Sequence, residues 1–199
     1  MDETVGLRER KKAATRLALH EAALRLAVEQ GLDGITVEAI ADAANVSRRT
    51  FSNYFSSKEE ALFHGDTMRL RRLLQLIREQ PAGEPPWAVL SRAAERLTEE
   101  AFGDRDPSWL TRRRKLRGHP SLAAHQVAAY TAIERELAGE LAHRITGGDV
   151  ALRSRVLAAT FLAVLRVAVQ HWIEHPGDPL LDTVRTTLAE AAAAVPAHG

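Results

Sequence analysis

Ser47, Arg48, Arg49 and Thr50, followed by Asn53 and Tyr54, bring hydroxyl, guanidinium, amide and phenol groups into one short stretch. Their shared chemistry is hydrogen-bond donation. A guanidinium fork matches guanine O6 and N7 or two phosphate oxygens, and the hydroxyls and the amide suit sugar-phosphate or base edges. For Arg48 and Arg49 the alternative is a solvated charged face. Cations at the start of a helix oppose the helix dipole, however, and two in a row at that unfavourable end favour an external anion such as DNA. Thr36, upstream, offers a hydroxyl and free backbone N–H groups to a phosphate at the head of another helix.

These groups need two short helices meeting at a sharp angle. Val37, Ile40, Ala41 and Ala44 fall on one face of the first, and Val46, Thr50, Phe51, Tyr54 and Phe55 lie along the second, at helical spacing. Asn45 sits between them and tolerates the left-handed conformation that ends a helix. Ser47 caps the second helix by accepting from the N–H groups of its first turn. Residues 36–55 therefore read as a helix-turn-helix that presents its second helix to a major groove.

The segment from Arg16 to Leu62 resembles the DNA-binding region of the tetracycline-repressor (TetR) family of bacterial regulators. The resemblance rests on Gly31, Thr36-Val37, Ile40-Ala41 with Ala44, Val46-Ser47, Tyr54-Phe55 and Lys58. Asn45 stands where the family often has Gly, Ala27 where a larger aromatic is common, and Ser52 at a position often aromatic. By this resemblance Tyr54 and Lys58 hold phosphate, and the DNA-contacting set is Thr36, Ser47, Arg48, Arg49, Thr50, Asn53, Tyr54 and Lys58. A packed core position with an exposed hydroxyl is the competing reading for Tyr54.

The chain has 199 residues, 45% of them hydrophobic but only 5% aromatic, and no strand-forming runs, so an all-α protein is expected. A net charge of +1 says little, because the basic residues are local: Arg8, Arg10, Lys11, Lys12 and Arg16 open the first helix. The absence of cysteine excludes disulfides and thiolate metal sites. The N-terminus lacks the apolar stretch of a signal peptide. Val156 to Ile173, interrupted by Arg166, Gln170 and His171, falls short of a membrane span. The expectation is a cytoplasmic protein with no membrane partner. About nine helices are expected in an N-terminal three-helix helix-turn-helix domain (1–56), a connecting helix (57–80) and a C-terminal helical ligand-binding and dimerisation domain (81–199). Helix one should run from about Arg8 to Gln30 and end at Gly31. Ser57 and Glu60 form a capping box for the connecting helix. A short helix carries Trp109 and Leu110, a longer one spans Ser121 to Ile145, and Asp149 caps its successor.

The last two helices carry more apolar surface than one protomer easily buries. Ala158, Ala159, Ala163 and Ala168 would allow close approach of a second copy, predicting a homodimer. The resemblance implies the same arrangement, with two recognition helices entering successive grooves of a palindromic double-stranded DNA operator. It alone implies that the larger domain encloses a small hydrophobic or amphipathic effector; no cofactor is expected. Trp87, Phe102, Trp109, Tyr130, Phe161, Arg166 and Trp172 are the candidate ligand residues, with core packing the stronger alternative for the aromatics. Arg166, inside an apolar helix, calls for an anion, from this protein or from a ligand. His171 and His175 have metal-compatible i, i+4 spacing but no third ligand nearby, so no metal site is assigned. The dense Arg112–Arg117 cluster and Arg69, Arg71 and Arg72 read as solvated surface.

The expected function is a homodimeric repressor released from DNA when an effector favours a shifted connecting helix. An activator or effector-independent regulator is the alternative, and a dimerisation adaptor without DNA binding is a more distant one. An enzyme is disfavoured, since no Gly-rich phosphate loop, HExxH or GxSxG occurs.

Overall fold

The computed structural model describes residues 2–102, 120–175 and 177–194, with side chains for 6–101, 130–175 and 177–194. Regular structure among the described residues is entirely helical: α1 (Asp2–Gln30), α2 (Val37–Ala43), α3 (Arg48–Tyr54), α4 (Lys58–Arg78), α5 (Pro86–Phe102), α6 (Pro120–Ala142), α7 (Val150–Glu174) and α8 (Leu180–Ala194). The expected all-α class holds. The short helix around Trp109 and Leu110 lies outside the described residues, as does the Arg112–Arg117 cluster. Two compact units form, one within Met1–Met68 and Arg112–Val127, the other within Arg69–Thr111 and Ala128–Gly199. The division falls inside α4 and inside α6, each of which supplies residues to both units.

Helix ends follow local chemistry. Gly31 takes φ 77° and its N–H bonds to the Ala27 carbonyl, closing α1. Helix α1 starts earlier than expected, at Asp2. Pro81 offers no N–H to continue α4, which ends at Arg78 and tightens into an Ile77–Gln80 turn. Pro86 takes the first position of α5, where its missing N–H costs nothing. Asp149 caps α7 by accepting from Leu152 N–H. At the head of α4 the capping box is displaced by one residue. Glu60 N–H reaches Ser57 Oγ as expected, but the Glu60 carboxylate turns back to the N–H and hydroxyl of Ser56 rather than to Ser57.

In the first unit Leu19 and Ala23 of α1, Ile40 of α2, Phe51 of α3, Phe55 and Leu62 close one core. Alanines 22, 23 and 27, all buried, let the neighbouring helices sit close to α1. Helix α4 approaches α1 at Gly65, where a Cβ would lie 2.6 Å from His20 Nε2. That ring is not free to yield, because its Nδ1–H donates to the Ala61 carbonyl at 2.9 Å and His64 packs edge-on at 6.0 Å.

The second unit gathers Leu73 and Ile77 of α4, Leu90 of α5, Leu137 of α6, Phe161 of α7 and Val184 of α8 into a separate core. Helix α8 packs on both α7 and α5. Arg144, just beyond α6, spreads its guanidinium over the carbonyls of Pro81, Gln80 and Ile77 at 2.6, 2.9 and 3.0 Å. It thereby satisfies the carbonyl acceptors that a helix end leaves open. Around the rim, Arg72 bonds Glu100 and Glu79, which raises its pKa above the ordinary value, while Arg72 holds the Glu100 carboxyl below its own.

Helix α7 is long and apolar enough to cross a membrane by length and composition, more than the sequence reading allowed. One side of it is committed to the core of the second unit, where Phe161, Leu162, Ala168 and Trp172 are buried. Of the four alanines expected at a two-fold interface, Ala158 and Ala168 are consumed by the protomer's own core. The other two, Ala159 and Ala163, lie on the outer face with Leu152, Val156 and Val167, each of the larger three more than half exposed. An apolar sequence all round the helix hid which stripe faced inward.

Candidate nucleic-acid interface

Helix α3 is seated by one side chain and presented by another. Phe51 is 1% exposed and packs against Phe55 at 5.9 Å between ring centres, fixing the inner face of α3. Truncating such a phenylalanine to alanine typically costs about 3–5 kcal/mol, comparable to the stability margin of a small unit. At the other end Ser47 is the N-cap, its hydroxyl accepting from Thr50 N–H at 3.0 Å and lying 2.9 Å from the Thr50 hydroxyl. The turn into α3 passes through Asn45 at φ 56°, the left-handed geometry anticipated for it. Val46 N–H bonds back to the Ala41 carbonyl and closes the connection. Thr36 caps α2 by accepting from Ala39 N–H at 3.1 Å.

The structure brings most of the expected DNA-contacting residues onto an exposed face of the first unit. Thr36, Ser47, Arg48, Arg49 and Asn53 are exposed, and Thr50 is half-buried beneath its cap. Tyr54 is half-buried against the core, with the Arg16 guanidinium 5.7 Å over its ring. That contact is a cation–π arrangement the sequence did not suggest. Lys58 has a role the sequence did not suggest: its ammonium donates to the carbonyls of Leu32 and Ile35, at 2.8 and 3.1 Å, locking the loop between α1 and α2. Glu38, not singled out from the sequence, forms an ion pair with Arg48, its Oε1 lying 3.0 Å from Nε.

The candidate effector residues divide. Phe161 is fully buried and Trp87 meets it edge-on at 6.1 Å. Trp172 is buried, and Tyr130 is half-buried against the same core. Arg166 does not join them; it lies exposed on the outer face of α7. The Phe102 side chain and Trp109 lie outside the described residues. Arg69, expected on the surface, is instead half-buried. It shares the stripe of α4 that continues through the buried Leu73, Leu76 and Ile77. Burial lowers its pKa to about 10, partly offset by Tyr130. Because the charged form is the one disfavoured, this cost is fully present at neutral pH and is relieved only as pH rises through about 10.

A recognition helix capped by serine, anchored by Phe51 and tipped with exposed arginines defines a helix-turn-helix DNA-binding regulator. Residues 19–64 match the family model for bacterial regulatory proteins of the tetR family, and residues 84–196 match that of the MftR C-terminal domain. The chain is 34% identical over 177 residues to the HTH-type transcriptional regulator TcmR of Streptomyces glaucescens, covering 84% of this chain and 76% of that one. It is 26% identical to the putative mycofactocin biosynthesis regulator MftR of Mycobacterium tuberculosis, covering 82% of each. Among solved structures, the Thermus thermophilus repressor FadR in complex with lauroyl-CoA aligns with TM-score 0.54 and 26% identity, over 92% of this chain and 99% of that one. The chain belongs to the TetR family and is a DNA-binding transcriptional regulator.

Proposed function

We propose that this regulator is a homodimeric repressor that leaves a palindromic operator when a small amphipathic molecule occupies its second unit. The observation that carries the DNA-bound half of this reading is the exposed Arg48–Arg49 tip of α3, held in place by Ser47 and Phe51. The dimer is supported by the outer stripe of α7, where Leu152, Val156 and Val167 stay exposed on one protomer. Such an apolar stripe suits a mate of the same chain, and two-fold pairing spaces two recognition helices for a palindrome. The chain acts through binding alone, without a cofactor, and works in the cytoplasm, for which a cysteine-free sequence is well suited.

For the effector, support comes from the aromatic core of Trp87, Phe161 and Trp172, with Tyr130 packed against it and the half-buried cation Arg69 near Tyr130. An apolar chain with an anionic head matches that pairing, and a solved relative binds lauroyl-CoA. Release then follows if the effector prefers a conformation in which α4 has shifted. Moving the balance from 1:99 to 99:1 takes about a 10⁴-fold preference.

The test is a gel shift with the intergenic DNA upstream of the chain's own coding sequence, with and without lauroyl-CoA. Binding in dilute buffer should weaken by about three to five decades between 50 and 200 mM salt, given about eight phosphate contacts per dimer, and lauroyl-CoA should release the DNA. Absence of binding at any salt rejects the repressor; binding that ignores lauroyl-CoA rejects the acyl-thioester class of effector.

A further inference from the structure

The DNA-facing surface contains a carboxylate that electrostatics alone would exclude. Glu38 lies in the first turn of α2 and Arg48 in the first turn of α3, and their side chains are 53% and 72% exposed. An ion pair so open to water adds little to stability. Near phosphates, an additional negative charge also weakens binding to every DNA sequence alike. Neither stability nor general affinity therefore accounts for Glu38.

The atoms involved suggest another role. Glu38 Oε1 forms an ion pair with the guanidinium on its Nε side, 3.0 Å from that nitrogen. Its two terminal nitrogens, Nη1 and Nη2, remain as a planar fork. That end-on fork is what pairs with O6 and N7 of guanine through two parallel hydrogen bonds. An unrestrained arginine must lose its rotamer freedom when it reads a base, whereas one held at Nε has already lost part of it. Arg49, the next residue, is exposed and has no ion-pair partner among the described residues.

We infer that Glu38 is a positioning residue that holds Arg48 for bidentate reading of one guanine in each half-site, leaving Arg49 to the phosphate backbone. Glu38 thus lowers general affinity and raises discrimination, an exchange suited to a regulator that must find one site among many.

The experiment uses the full-length protein and its footprinted operator, with each base pair of a half-site substituted in turn. Wild type, Glu38→Ala, Glu38→Gln, Arg48→Ala and the Glu38→Ala/Arg48→Ala double variant are compared on that set and on unrelated DNA. Arg48→Ala should erase the preference at a single guanine, a loss of about 5- to 150-fold. Glu38→Ala should lose much of the preference at that same guanine while binding unrelated DNA more tightly, a gain that a misfolded protein would not show. Glu38→Gln, which keeps the side-chain length but removes the charge that pairs with Arg48, should lose the preference at that guanine as Glu38→Ala does. In the Arg48→Ala background, removing Glu38 should cause no further loss at that position. Full preference in Glu38→Ala, or an Arg48→Ala variant weakened equally on all sequences, overturns the inference. Wild type binding the operator no better than unrelated DNA would overturn base reading itself, a separate result.

Discussion

A lysine ammonium has three protons to give, and Lys58 gives two of them to the carbonyls of Leu32 and Ile35. Its first duty is to the loop between α1 and α2. Lys58→Met should therefore destabilise the first unit by about 1–3 kcal/mol, the cost of leaving partly buried carbonyls unsatisfied. Chemical denaturation measures that loss. The slope of operator affinity against salt should stay unchanged; a fall of about one in that slope would show Lys58 to be a phosphate contact as well. The roles of Ser47, Thr36 and Asn45 were legible in the sequence because capping and left-handed turns are decided within three or four residues. Lys58, Glu38 and Arg69 were not, because what each side chain meets is set by tertiary packing. For Lys58 the acceptors lie 26 and 23 residues away.

Elements differ in how openly they declare themselves. The boundaries of α2, α3, α5 and α7 follow from a Thr, a Ser, a Pro and an Asp, each placed where its chemistry starts a helix. The inward side of α7 did not, since alanines and branched residues occur all round it. Only packing separates buried Ala158 from exposed Ala159. Helix α4 is tied to its surroundings by a cation at each end, the first bonding the loop between α1 and α2 and the second the carbonyls of its own last turn and the residues after it. Lys58 heads it, and Arg144 covers three carbonyls at its close. Arg144→Ala should cost about 2–3 kcal/mol of stability in the second unit, since several charge-assisted bonds to backbone oxygens go at once. Thermal unfolding monitored by circular dichroism checks this, and a shift below about 1 °C would show that water replaces the guanidinium at no cost.

At the level of the whole molecule, the exposed stripe of α7 turns oligomeric state into a single-residue question. Val156 is 56% exposed and in the midst of that stripe. Val156→Glu should leave the protomer folded while placing like charges across a two-fold contact, giving a monomer by sedimentation. That monomer should bind operator at least about 100-fold more weakly, because the second half-site no longer adds its contribution. A dimeric Val156→Glu protein would place the interface elsewhere.

The Gly65–His20 notch bears on how such a chain can be rebuilt from parts. Grafting a foreign α4 onto this α1 would import whatever residue the donor carries at position 65, and even a methyl group there meets a ring pinned by the Ala61 carbonyl. The two positions, forty-five apart along the polymer, have to be inherited or engineered as a matched set. Hybrid regulators should keep the joint between donor and recipient after Gly65.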